Sequence, residues 1–164
     1  MNTKKFCCVF VSNKKYFDIF KKTCHELIIN GKYQGDICLV IGDDLSEDKV
    51  LNCDFIKKNK ISIKYFPDIK FTSEFLRINN NVRTDGRNIL KKFQWHKLYL
   101  FNSYFKKWNY IFYLDCGMKI HKNIKPILEE AVENTLFAHS DAYPNYEWRL
   151  SNQFDHTNID YFSK

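Results

Sequence analysis

The stretch that most constrains this chain is Tyr110-Ile-Phe-Tyr-Leu-Asp-Cys-Gly-Met118. Five apolar or aromatic residues run without a polar break and stop at Asp115. So short a run, rich in aromatics, predicts a strand covered on both faces, central in a parallel sheet. Ligands of such sheets dock just beyond the carboxyl ends of the strands. Asp115 is then a carboxylate placed where ligands dock. Gly117, two residues on, lets the backbone approach a ligand closely or take a positive φ. The plain alternative is an ordinary Asp-x-Gly turn after a strand.

The preceding chain has the rhythm that such a sheet needs. Residues 6–11 are apolar and hold β-branched side chains, which predicts a buried first strand. Residues 16–30 carry helical periodicity through Tyr16, Ile19, Phe20, Cys24, Leu27 and Ile28, and Gly31 stands where a helix C-terminal glycine belongs. Residues 36–41 read as a second strand, 48–58 as a short helix and 61–66 as a third strand stopped by Pro67. Strands alternating with helices over short connections predict an α/β fold, a mostly parallel sheet with helices on both faces. Residues 70–88, with their Asn and Asp-Gly clusters, read as a loop. A helix is predicted over 90–108, with Leu90, Leu98, Phe101, Phe105 and Trp108 as its apolar face. After Asp115 the pattern predicts a brief strand at 118–120, a helix at 124–132 and a strand at 135–138.

The 164 residues suit a single domain with a real core, and a hydrophobic fraction of 45% puts the chain among globular proteins. No stretch reaches the length of a membrane span, and the N-terminus lacks a signal-peptide pattern. The six cysteines include no C-x-x-C pair, so buried reduced thiols and a cytoplasmic location are expected. The net charge of +7 comes from lysine pairs dispersed along the chain, which describes a solvated surface; no specific nucleic-acid partner is expected.

Lys97 is the second residue to weigh. At helical spacing it shares a face with Phe101, Tyr104 and Trp108, so its ammonium must snorkel to solvent or meet an anion. A helix running antiparallel to the following strand brings Lys97 towards Asp115. A cation and a carboxylate at one crevice suit a diphosphate carrying a sugar.

Four segments together resemble glycosyltransferases of the GT-A nucleotide-diphospho-sugar fold, a Rossmann-like architecture. These are Phe10-Val-Ser-Asn13 with Tyr16, Gly35-Asp-Ile-Cys-Leu-Val-Ile-Gly-Asp-Asp44, Lys97-Leu-Tyr-Leu-Phe101 and Tyr113-Leu-Asp-Cys-Gly117. The chain looks most similar to the glycogenin-like, family 8 type and to related proteins of large DNA viruses. The resemblance implies hexosyl transfer from a UDP- or GDP-sugar to a hydroxyl of a glycan or protein acceptor. It implies Ser12, Asn13 and Tyr16 on the base side, Lys97 at the diphosphate, and Asp115 as the first carboxylate of an Asp-x-Asp motif. Lys97 and Asp115 are then the catalytic candidates, with Gly117 beside the nucleotide. The cofactor implied is Mn2+ or Mg2+.

The sequence departs from that pattern in two places. Gly117 replaces the second carboxylate, and a lone Asp115 is a poor site for a hard divalent ion. Members of the family also continue well beyond this length, so the usual C-terminal acceptor portion is expected to be lacking. Asp141, in His139-Ser-Asp141, is the candidate second metal ligand; loop capping is its plainer role. The aromatics of Tyr143-Pro-Asn-Tyr-Glu-Trp148 suit sugar stacking or core packing. A catalytically inactive, truncated binding or assembly module is the alternative to a working transferase. Donor, acceptor and oligomeric state are not legible in the sequence.

Overall fold

The computed structural model describes residues 5–78 and 92–137 of the chain. The chain divides into two compact units, Met1–Glu133 and Asn134–Lys164, and the first holds the entire sheet. Four strands, β1 (Phe6–Val11), β2 (Asp36–Ile41), β3 (Ser62–Tyr65) and β4 (Tyr110–Tyr113), pair in the order β3-β2-β1-β4. Every pairing is parallel. Five α-helices are described: α1 (Phe17–Ile29), α2 (Glu47–Leu51), α3 (Asp54–Lys58), α4 (Ser73–Ile78) and α5 (Lys125–Glu129). The fold is α/β, as the alternation of strand and helix patterns predicts.

The core has two halves because successive residues of a strand face opposite sides of the sheet. Cys8 and Phe10 of β1, with Leu39 and Ile41 of β2, pack against Phe20, Cys24 and Leu27 of α1, Val50 of α2 and Ile56 of α3. Cys7, Val9 and Val11, with Cys38 and Val40, pack against Phe66, Phe105 and Trp108, bordered by Phe93, Tyr99 and Leu100. Each large side chain so buried contributes roughly 1.5–3 kcal/mol relative to exposure. β1 and β2 are therefore the most enclosed strands, with five of their six residues buried in each.

Several expectations are corrected. The run at 110–113 is not a central strand among the described residues: β4 pairs with β1 alone and its four residues are half-buried. A continuous apolar-aromatic run marks a strand but does not tell centre from edge, because Tyr and Phe also suit a half-covered surface. Of the helix expected at 90–108, residues 90 and 91 lie outside the described residues, and the rest is two 3-10 segments, Lys92–Phe101 and Ser103–Lys107, separated at Asn102, whose side chain accepts from Tyr104 N. Three residues per turn, rather than 3.6, align Phe93, His96 and Tyr99. Leu98 and Phe101, expected in the apolar face, are consequently 55% and 75% exposed.

The 48–58 helix is split into α2 and α3 at Cys53, and the loop read from residue 70 contains α4. Residues 118–120 and 135–137 form no strand, and the final helix shortens to α5. At the end of α1 the left-handed residue is Lys32 (φ 52). Gly31 serves for space instead, since a Cβ there would meet the Leu27 carbonyl oxygen at 2.5 Å. Among the described residues no helix is long and apolar enough to cross a membrane.

Candidate functional site

From β1 the chain proceeds to β2 and β3 on one side of the sheet, whereas β4 adds on the other. The strand order thus reverses between β1 and β4, and the crevice at their carboxyl ends is where open α/β sheets take ligands. Val9 pairs with Tyr113, so Ser12-Asn13 and Asp115 leave the sheet side by side.

On the β1 side, Ser12 is fully buried; its N–H donates to the Val40 carbonyl at 3.0 Å and its hydroxyl to the Asn13 carbonyl at 3.1 Å. Asn13 Oδ1 accepts from Tyr16 N at 3.0 Å, which caps the turn leading into α1. Asp44, beyond β2, accepts from Lys14 N at 3.0 Å and ties the two loops together. Tyr16 is 43% exposed. Ser12 and Asn13 therefore shape the loop with their side chains, and Tyr16 presents a ring to solvent.

On the β4 side, Asp115 to Met118 form a turn closed by Met118 N to the Asp115 carbonyl at 3.3 Å. Gly117 is its third residue, with φ +96, a conformation that side-chain-bearing residues rarely adopt. Its N–H donates to Thr23 Oγ1 at 2.9 Å, and the Cys116 thiol donates to the Val11 carbonyl at 3.4 Å. Burial pushes the Cys116 thiol up to about 11.

The structure brings Lys97 and Asp115 together. Lys97 Nζ lies 3.0 Å from Asp115 Oδ1 and 3.2 Å from Oδ2, and 5.2 Å from the centre of the Tyr113 ring. The Tyr113 hydroxyl donates to Asp115 Oδ1. Burial, then that hydrogen bond and the Asp115 charge, raise the phenol far above its ordinary range. The ion pair is substantially exposed, so its contribution to stability is small, about 0–1 kcal/mol. Its consequence is placement: a cation is held beside the carboxyl end of β4.

A neighbouring cluster secures the segment that carries Lys97. His96 is buried and stacked on Phe93 at 4.3 Å; its Nε2 lies 3.3 Å from the Phe66 carbonyl and 3.4 Å from Asp68 Oδ1. Two acceptors at Nε2 call for the proton there. Asp68 and Asp43 exchange backbone bonds, each N–H donating to the other's carboxylate at 3.2 Å. The Tyr99 hydroxyl donates to the Pro67 carbonyl at 3.0 Å. None of these contacts was anticipated. The available signal was the three-residue spacing of Phe93, His96 and Tyr99, which a helix of 3.6 residues per turn obscures.

The residues present at Asp115 do not fit a divalent ion. Its Oδ1 already meets a hydroxyl and an ammonium and its Oδ2 the same ammonium, while Gly117 offers no side chain. Among the described residues no group of three or more His, Cys, Asp or Glu side chains converges as a metal site. Asp141 lies outside the described residues, as do residues 143–148. Comparison of the chain with protein-family models, curated proteins and solved structures found no match.

Proposed function

We propose that this is a GT-A-like domain that binds a nucleotide-diphospho-sugar in the crevice between the carboxyl ends of β1 and β4. The observation carrying this reading is the Lys97–Asp115 pair at the point where strand order reverses. The exposed Tyr16 ring supplies a face for the base. Lys97 supplies a positive point charge for the diphosphate.

In transfer, the bond between the anomeric carbon and the diphosphate oxygen breaks. A bond to an acceptor hydroxyl oxygen of a glycan or protein forms, the hydroxyl proton passes to the departing diphosphate or to water, and the nucleoside diphosphate leaves. Lys97 offsets the charge that develops on that leaving group. The left-handed turn at Gly117 favours a second reading, a binding module without turnover, because it disfavours a side chain at the position of the usual second carboxylate. Lys97→Ala tests the assignment of Lys97: it should weaken UDP binding by about tenfold, the scale of one charge-assisted hydrogen bond, and leave uridine binding unchanged. Equal loss for both would sink that role.

A further inference from the structure

We infer that recognition of the diphosphate is independent of a divalent metal, with the Lys97 ammonium occupying the electrostatic role a cation would play. This rests on the nucleotide-diphosphate reading above and specifies how that site neutralises its ligand. Three observations carry it. Both Asp115 oxygens contact Lys97, at 3.0 and 3.2 Å, so the carboxylate is neutralised by a side chain of the same crevice. Tyr113 supports the arrangement twice, by its hydroxyl on Asp115 and by its ring beneath the ammonium. Gly117, with φ +96, occupies the position where a second carboxylate would be needed, and a side chain there strains the turn. A hard divalent ion needs several oxygen ligands in place of its water. One carboxylate already engaged by an ammonium does not supply them.

An ammonium carries three donors, and the carboxylate uses at most two. The remaining donor, directed by the Asp115 anchor and the Tyr113 ring, is available to a phosphate oxygen. Asp115 on this account is a positioning residue that aims Lys97, and its own negative charge opposes the anionic ligand.

The test is calorimetric titration of UDP into the full chain, once in EDTA and once in Mn2+. Affinity should agree within about threefold between the two conditions. Asp115→Asn should tighten UDP binding by about fivefold or less, because it removes a repelling charge and keeps an acceptor for Lys97. Lys97→Met should weaken binding by about tenfold in both conditions, whereas Lys97→Arg, which keeps the charge, should retain most of it. Binding in Mn2+ but not in EDTA, or loss of binding in Asp115→Asn, would overturn the inference and leave the nucleotide reading intact. Absence of UDP binding in both conditions would overturn the nucleotide reading itself, and the inference with it.

Discussion

Gly42→Ala is the substitution whose effect the structure defines most closely. A Cβ at residue 42 would lie 2.6 Å from Asp68 Oδ1, 2.8 Å from His96 Nε2 and 2.8 Å from Phe93 Cε2. All three distances are shorter than real contacts, so something must move. Overpacking of this kind costs roughly 1–3 kcal/mol. Asp68 is half-exposed and can swing outwards, giving up its Asp43 N–H and His96 contacts. His96 is 1% exposed, stacked on Phe93, and has no such route. The expected loss is thus about 1–2 kcal/mol, the range reached when one of the three obstacles yields easily. With a urea dependence of about 2 kcal/mol per molar, the unfolding midpoint should fall by roughly 0.5–1 M. The Asp68→Ala background should reduce that shift, since the nearest obstacle is gone and the two sites are coupled. A midpoint unchanged to within about 0.2 M would refute the packing of β2's terminus against the His96 segment.

Two further predictions concern titration and thiol chemistry. Glu26 is held below its ordinary value of 4.5, first by the Ile120 N–H and then by Lys119. The charged form is favoured in the fold, so its contribution is present above that ordinary value and is lost as pH falls through the depressed one. Glu26→Gln should therefore lower stability at neutral pH, and its difference from the wild type should shrink as pH falls below 4.5; a difference in urea denaturation that stays constant as the pH is lowered would contradict this. Burial pushes the Cys24 thiol up to about 12 and Cys38 to about 11, and raises Cys8 as well. In native protein a thiol reagent should label the half-buried Cys53 well before these three, and all six cysteines once urea is added. Mass spectrometry of the labelled peptides reads the order, and early labelling of Cys24 would count against the core described.

The α/β alternation was legible because residues 6–11 and 36–41 are short apolar runs with no helical period, each followed by segments that have one. That Asn13 and Asp115 lie at one end of the sheet was legible for a related reason: in a parallel sheet every strand ends on the same side, whereas their emerging side by side depends on the pairing of β1 with β4. The local geometry of 90–108 was not. Its apolar residues fit 3.6-residue spacing as well as 3.0, and the choice falls to tertiary contacts such as Tyr99 to the Pro67 carbonyl. Edge or centre for β4 was likewise undetermined, because neighbours in a sheet are set by crossovers and not by the strand itself. The missing carboxylate at Gly117 is plain in the sequence, but its positive φ, at which a side chain would be strained, appears only in the fold.

The most direct test of the central claim is an amide chemical-shift titration of the isotope-labelled protein with UDP-glucose. The account predicts that the shifts concentrate at Ser12, Asn13, Tyr16, Lys97, Asp115 and Gly117, around the carboxyl ends of β1 and β4. Amides at the opposite end of the sheet, such as Gly35, Ile61 and Asn109, should stay in place. Shifts confined to that opposite end, or none at all at saturating ligand, would contradict it.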